Sequence, residues 1–279
     1  MFSADLFKGF KSLIQSELTV LFGRRRTWAM LVTISLIPIF LAIAVSLSGK
    51  TLPPGEGPPF LDRVSQNGLF VGFTAMILAI PLFLPLTIGV VAGDTIAGEA
   101  NTGTLRYLLI APVNRAKLLV AKFIGAAVFS VAATFILMIT GIIVGAILFP
   151  IGPVTLLSGD VVSIPNALLR IFLVAIYVTI SLLGLSVIGL FISTLTVIPV
   201  GAMAATVVVS TVSQILGSLP QIKVIHPFLP SYYWLGLADI LRAPMDLTSM
   251  ARNALLQLAY LTVFGAWAYS RFVSKDILS

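Results

Sequence analysis

The chain of 279 residues contains no cysteine. Disulfides, thiol nucleophiles and thiolate metal sites are therefore excluded, and cysteine usage says nothing about compartment. There is one histidine, His226, in the proline-flanked stretch "IHPFLP". A single imidazole with no thiol beside it leaves little from which to build a metal cluster or a nucleophile–base pair. Charge is scarce too. Asp, Glu, Lys and Arg make up 10% of the chain, against about 25% in an ordinary soluble domain. Apolar residues take their place: they are 58% of the sequence, and mean hydropathy is +1.10. Such a chain cannot cover itself with polar surface in water, so it belongs in a bilayer.

A helix needs about 20 apolar residues to cross about 30 Å of hydrocarbon. Six runs qualify, at 28–47, 69–92, 120–149, 170–192, 198–219 and 253–270. The small residues "AVS" at 44–46 resemble a signal-peptide cleavage site. The apolar run before them is longer than the roughly 7–15 residues of a signal core, so it reads as an uncleaved span. Six crossings put both termini on one side. Eleven of the 17 basic residues then share that side: Lys8, Lys11, Arg24, Arg25, Arg26, Arg106, Arg115, Lys117, Lys122, Arg271 and Lys275. Positive loops stay in the cytoplasm, so both ends are expected there. The same rule accounts for the net charge of +7 without any nucleic-acid partner. "SGKT" at 48–51 matches the end of a phosphate-binding loop, but Ala44 stands where that motif needs glycine, and the context is the outer end of a helix.

Two amphipathic pieces flank these spans. In residues 5–22, Phe7, Phe10, Ile14, Leu18 and Leu21 recur on one helical face, with Lys8, Lys11, Ser12 and Gln15 elsewhere. This predicts a helix in the inner membrane interface, followed by "GRRR" at 23–26, suited to lipid headgroups. A cytosolic helix packed on a partner gives the same pattern. The second piece is "GDTIAGEANTGTLRYLLIAPVNR", residues 93–115. Gly93 and Gly98 are expected to break the end of span two. Asn101 or Thr102 then caps a short helix that stops before Pro112. Leu105, Leu108 and Leu109 form its apolar face, with Arg106 beside it. Such a helix either docks into another protein or packs on its own bundle.

The residues of this insert are more specific than its shape. Gly98-Glu99, Gly103-Thr104-Leu105, Leu108-Leu109, Pro112-Val113, Arg115, Leu118-Leu119 and Lys122 resemble the signature of ABC-2 type transporter permeases. The close match covers about 25 residues, and the six-span layout with an interfacial first helix fits along the whole chain. The resemblance implies an all-α membrane protein with the ABC-2 exporter fold. Residues 1–27 would be the cytosolic interfacial helix, 28–271 the bundle and 272–279 a cytosolic tail, with no nucleotide-binding domain. It implies a non-catalytic permease that pairs with a second, like or unlike, permease in a prokaryotic plasma membrane. A separate ATP-binding cassette subunit would dock on each and hold the ATP and magnesium. Glu99, Gly103, Thr104, Leu105, Arg106 and Arg115 would then be the residues that couple to that ATPase.

The remaining features are read from the residues. "YYWLGLADILRA" within the outer segment 220–252 predicts a re-entrant or interfacial helix, with Tyr232, Tyr233 and Trp234 at headgroup level. In span five, Thr206, Ser210, Ser213 and Gly217 recur at helical spacing with Gln214 adjacent. This stripe either lines a substrate path or lets two helices approach closely. Gly68/Gly72, Gly89/Gly93 and Gly141/Gly145 predict tight helix packing, and Pro81 and Pro85 a kink in span two. No span is expected to bury a charge, which favours an exported lipid-like or drug-like cargo. A secondary transporter or channel that works without an ATPase is the alternative. A membrane-embedded enzyme is the weaker one, for want of catalytic groups.

Overall fold

The computed structural model describes residues 2–48, 59–104 and 114–274. It is an all-α bundle: α1 Phe2–Gly23, α2 Arg25–Ser48, α3 Pro59–Gln66, α4 Leu69–Ala79, α5 Phe83–Asn101, α6 Arg115–Leu148, α7 Ile164–Leu195, α8 Pro199–Ser218 and α9 Thr248–Ser274. Two 3-10 helices, Pro220–Phe228 and Trp234–Leu241, join α8 to α9. The sequence reading anticipated no strands, yet a two-stranded hairpin, β1 Val154–Thr155 and β2 Val161–Val162, caps the α6–α7 connection.

Among the described residues, five helices are long and apolar enough to cross a membrane: α2, α5, α6, α7 and α8. The expected second span is divided. α4 ends at Ala79 and α5 begins at Phe83. The cause lies in the two prolines. Pro85 has no N–H to give the carbonyl of Pro81, four residues back. The Gln214 side chain of α8 supplies the missing donor at 2.7 Å, which is how a broken helix is made tolerable away from water. α9 has the length of a span, 27 residues, but Arg252, Asn253 and Gln257 dilute its first half.

Small residues set the helix spacing. A methyl on Gly141 of α6 would lie 2.7 Å from Gly72 Cα of α4, and one on Gly145 would overlap the Gly68 carbonyl. A methyl on Gly93 of α5 would lie 2.7 Å from the Met203 nitrogen of α8. The three expected glycine pairs therefore pack backbone against backbone. α5 does not break at Gly93 and Gly98, contrary to expectation. It runs on to Asn101, because Ser193 of α7 inserts into its ladder. The hydroxyl donates to the Gly93 carbonyl at 2.7 Å and accepts from the Ile96 and Ala97 amides.

The bundle has two distinct ends. At one, α1 lies against α6, and the starts of α2 and α6 meet the ends of α5 and α9. At the other, a cap is stitched by cations and amides. Arg63 donates to the Thr155 and Leu156 carbonyls, and Asn67 to those of Gly152 and Pro153. Arg170, buried in α7, donates to the Ile240 and Arg242 carbonyls. The 231–241 segment enters this end as expected of a re-entrant piece, but Trp234 is not at a headgroup surface. It is 2% exposed, and its indole N–H donates to the Ser181 carbonyl in the interior of α7. Beside it, Asn253 donates to the Ser181 hydroxyl and Gln257 to Asn253 and to the Pro230 carbonyl. This buried amide pair was not foreseen. On the cap side of α9, the Thr248 hydroxyl and amide hold the Asp246 carboxyl below the usual carboxylate range.

Candidate functional site

The α1 end gathers six charges on four helices. α1 presents the face the sequence predicts: Phe10, Ile14, Leu18 and Leu21 are half-buried, and Lys11, Ser12 and Gln15 are exposed. Phe7's side chain lies outside the described residues. One acid, Glu17, sits within this apolar face. It is held by Lys122 of α6, whose ammonium lies 3.1 and 3.4 Å from the two Glu17 oxygens and 2.6 Å from Glu99 of α5. Lys122 is 1% exposed. An ammonium so buried is stable only when its charge and its donors are matched, and two carboxylates do this here. The second Glu99 oxygen is buried with no hydrogen-bond partner.

A second knot lies alongside. Asp94 of α5 accepts from Arg24 at 2.8 Å and from Arg26. Two of the three arginines expected to face lipid headgroups thus also reach a bundle acid, and all three stay exposed. Arg24, Arg26 and Lys122 balance Glu17, Asp94 and Glu99. Together they line a small cavity of about 30 Å³. The expectation that no span buries a charge is overturned by Asp94, Lys122 and Arg170, which are 8%, 1% and 6% exposed. Asp94 and Lys122 sit near helix ends, where the hydropathy of the flanking run hides them from a window average.

Around these charges the insert begins and ends. Glu99 is in the last turn of α5, facing inward, not at the start of a following helix. Asn101 and Thr102 close α5, and Gly103 takes a left-handed φ of +74°. That conformation costs a side chain strain but suits glycine, and it ends helices. Thr104 donates to the Glu99 carbonyl and shares a hydroxyl contact of 2.9 Å with Thr102. Leu105 and Arg106 lie outside the described residues, as do Leu108, Leu109, Pro112 and Val113. The chain reappears at Asn114, whose side chain accepts the Ala116 amide and caps α6. Arg115 turns back onto α9, donating to the Phe272 and Val273 carbonyls, the latter at 2.7 Å. A cation there offsets the negative end of that helix. Ile96, Leu118, Leu190 and Phe272 pack as a small core under the site, with Leu13 of α1 against it.

The α8 stripe lies toward the other end. Thr206, Ser210 and Ser213 are buried, at 0%, 2% and 4% exposure. Ser213 shares a hydrogen bond of 2.6 Å with Ser231. Gln214 and Gly217 border a cleft of about 320 Å³ with Pro81, Tyr232, Trp234 and Leu235.

The fold is a helical bundle with several helices long and apolar enough to cross a membrane. The family model for ABC-2 family transporter proteins matches residues 13–213, and the chain belongs to that family. The family identifies it as a multi-pass permease of ATP-binding cassette transport. A search of curated proteins returned no significant sequence match.

Proposed function

We propose that this chain is the permease half of an exporter driven by a separate ATP-binding cassette ATPase, with segment 102–114 as the contact that couples the two. What supports the reading is the convergence at the α1 end. The family's insert leaves α5 and re-enters α6 between Glu99 and Lys122, so both of its flanks are tied to one buried ammonium. Six crossings, with α9 as the sixth, would bring the end of α9 to the start of α6, and the Arg115–Val273 contact supports that count. The basic excess puts this end and both termini in the cytoplasm. ATP and magnesium are held by the ATPase, and a second permease copy completes the transporter. α8 leaves Val200, Val208 and Ile215 more than half exposed for that copy or for lipid.

The cargo is amphipathic and leaves through the cleft at the cap end. That cleft is lined by neutral groups, with Gln214 and Gly217 as its α8 side and Thr206, Ser210 and Ser213 packed behind them. Gly217 gives a direct check. A methyl there meets only Leu229 Cδ1, at 3.7 Å, so Gly217→Trp extends into the cleft without striking backbone. Transport by this variant should fall by an order of magnitude or more, while the complex co-purifies intact. Unchanged transport would remove the cleft from the route.

The coupling reading is tested by Glu99→Ala with Arg106→Ala, in vesicles reconstituted with the ATPase. Substrate should no longer stimulate ATP hydrolysis and transport should fall, although the permease inserts and still binds its partner. Lys122 keeps Glu17 as a counter-charge when Glu99 is removed, so the permease should still insert and co-purify with its partner. Wild-type coupling in the double variant would make 102–114 a plain connector. Transport without any ATPase would instead favour a secondary transporter.

A further inference from the structure

An apolar groove lies between α6 and α9 at the α1 end of the bundle, with α7 beneath it. Val187 and Leu190 form its floor, Val120 stands on one wall, and Leu261, Gly265 and Tyr269 make the other. Val120 and Tyr269 stay about half exposed at the rim. The groove holds about 360 Å³. From Leu261 to Tyr269 it runs about 12 Å along α9, at 1.5 Å per residue. Its mean cross-section is then about 30 Å², under half that of a helix 10–12 Å wide. A hydrocarbon chain fits such a slot and a helix does not. Gly265 keeps the slot open, since a methyl there would meet only Val187 Cγ2, at 3.9 Å.

The groove ends among cations. Arg115 and Lys117 flank Ala116, its last residue on α6, and Arg271 follows Tyr269 by two residues in the last turn of α9. Arg115 joins the two walls there through the Phe272 and Val273 carbonyls. Among the described residues no carboxylate pairs with any of these three cations. The described acids of this end, Glu17, Asp94 and Glu99, are held instead by Arg24, Arg26 and Lys122. The start of α6 adds the positive end of its dipole. A slot for a hydrocarbon chain therefore opens onto an uncompensated positive patch at the helix ends. We propose that the groove binds one anionic phospholipid of the leaflet at the α1 end, with an acyl chain between α6 and α9 and its phosphate beside Lys117 and Arg271. A zwitterionic lipid carries its own ammonium, which those cations repel. This lipid is resident cargo to neither path: the site is at the opposite end from the cleft beside Gln214, and it needs no contact with an ATPase.

Photoactivatable phosphatidylglycerol and phosphatidylcholine, with the same chains and a diazirine on one of them, test this on the full chain in mild detergent. Phosphatidylglycerol should bind about fivefold tighter or more, because each Lys or Arg near the surface adds about that factor for an anionic lipid. Its adducts should map to the groove faces of α6, α7 and α9. Lys117→Gln with Arg271→Gln alters only charge at the helix ends and should remove most of the preference. Gly265→Leu fills the slot, so the groove adducts should disappear. The lipid-free Gly265→Leu protein should melt at or above the wild-type temperature, because leucine favours helix over glycine. If it melts lower, the charge variant decides alone. Equal affinities in the wild type, or a preference undiminished in the charge variant, overturn the headgroup site. Adducts that map elsewhere, or that persist in a stable Gly265→Leu, overturn the groove. Groove adducts that vanish as two permease copies associate would make this face a permease interface and overturn the lipid site.

Discussion

Lys122→Met should destabilise the permease by about 3–5 kcal/mol, the range for breaking a buried ion pair. Methionine fills nearly the same volume, so packing is kept and only the charge is removed. Glu99 and Glu17 would then face each other with no cation in contact, at side-chain exposures of 14% and 18%. Their repulsion adds to the cost of keeping each one out of water. The sign of the effect is checked by a second variant. Adding Glu99→Gln and Glu17→Gln to Lys122→Met leaves a neutral site, and most of the lost stability should return. Thermal unfolding in one detergent, read by intrinsic tryptophan fluorescence, measures both. A Lys122→Met protein that melts with the wild type would show that the site is wet and that the three side chains carry little energy.

Gly141→Val should be nearly as damaging. Its Cβ lies against Gly72 Cα and, at 3.0 Å, against Gly72 N. These are backbone atoms, which cannot turn aside as a side chain can. α4 and α6 must separate along the seam that also holds Gly68 and Gly145. Overpacking typically costs about 1–3 kcal/mol, and a seam of two backbones belongs at the upper end. Gly125→Ala on the same helix is the control. Nothing lies within 4 Å of a methyl there, and alanine favours helix over glycine by up to about 1 kcal/mol. It should melt at or above the wild-type temperature. Equal melting temperatures for the two variants would refute close packing of α4 on α6.

The sequence alone determined the setting of this protein. Long apolar runs give long helices because hydrocarbon offers no other partner for the backbone. The face of α1, the glycine pairs and the family signature are local patterns, readable from spacing. Span two was legible as apolar and as bent at Pro81 and Pro85, but not as fully divided, since the donor that satisfies the broken ladder, Gln214, comes from α8. Trp234 read as a surface aromatic because nothing near it in the chain reveals that Ser181 waits inside the bundle. Asn253 and Gln257 were missed because two amides hardly change the character of a long apolar run.

Only the tertiary structure decided which charges meet. Lys122 and Glu17 are separated by 105 residues in the chain, and no periodicity links an acid on an interfacial helix to a lysine two turns into a span. A charge in a sequence looks solvated by default. It becomes part of a site when folding removes its water and leaves only counter-charges within reach. That depends on where α1, α5 and α6 come together, which their separate patterns do not specify.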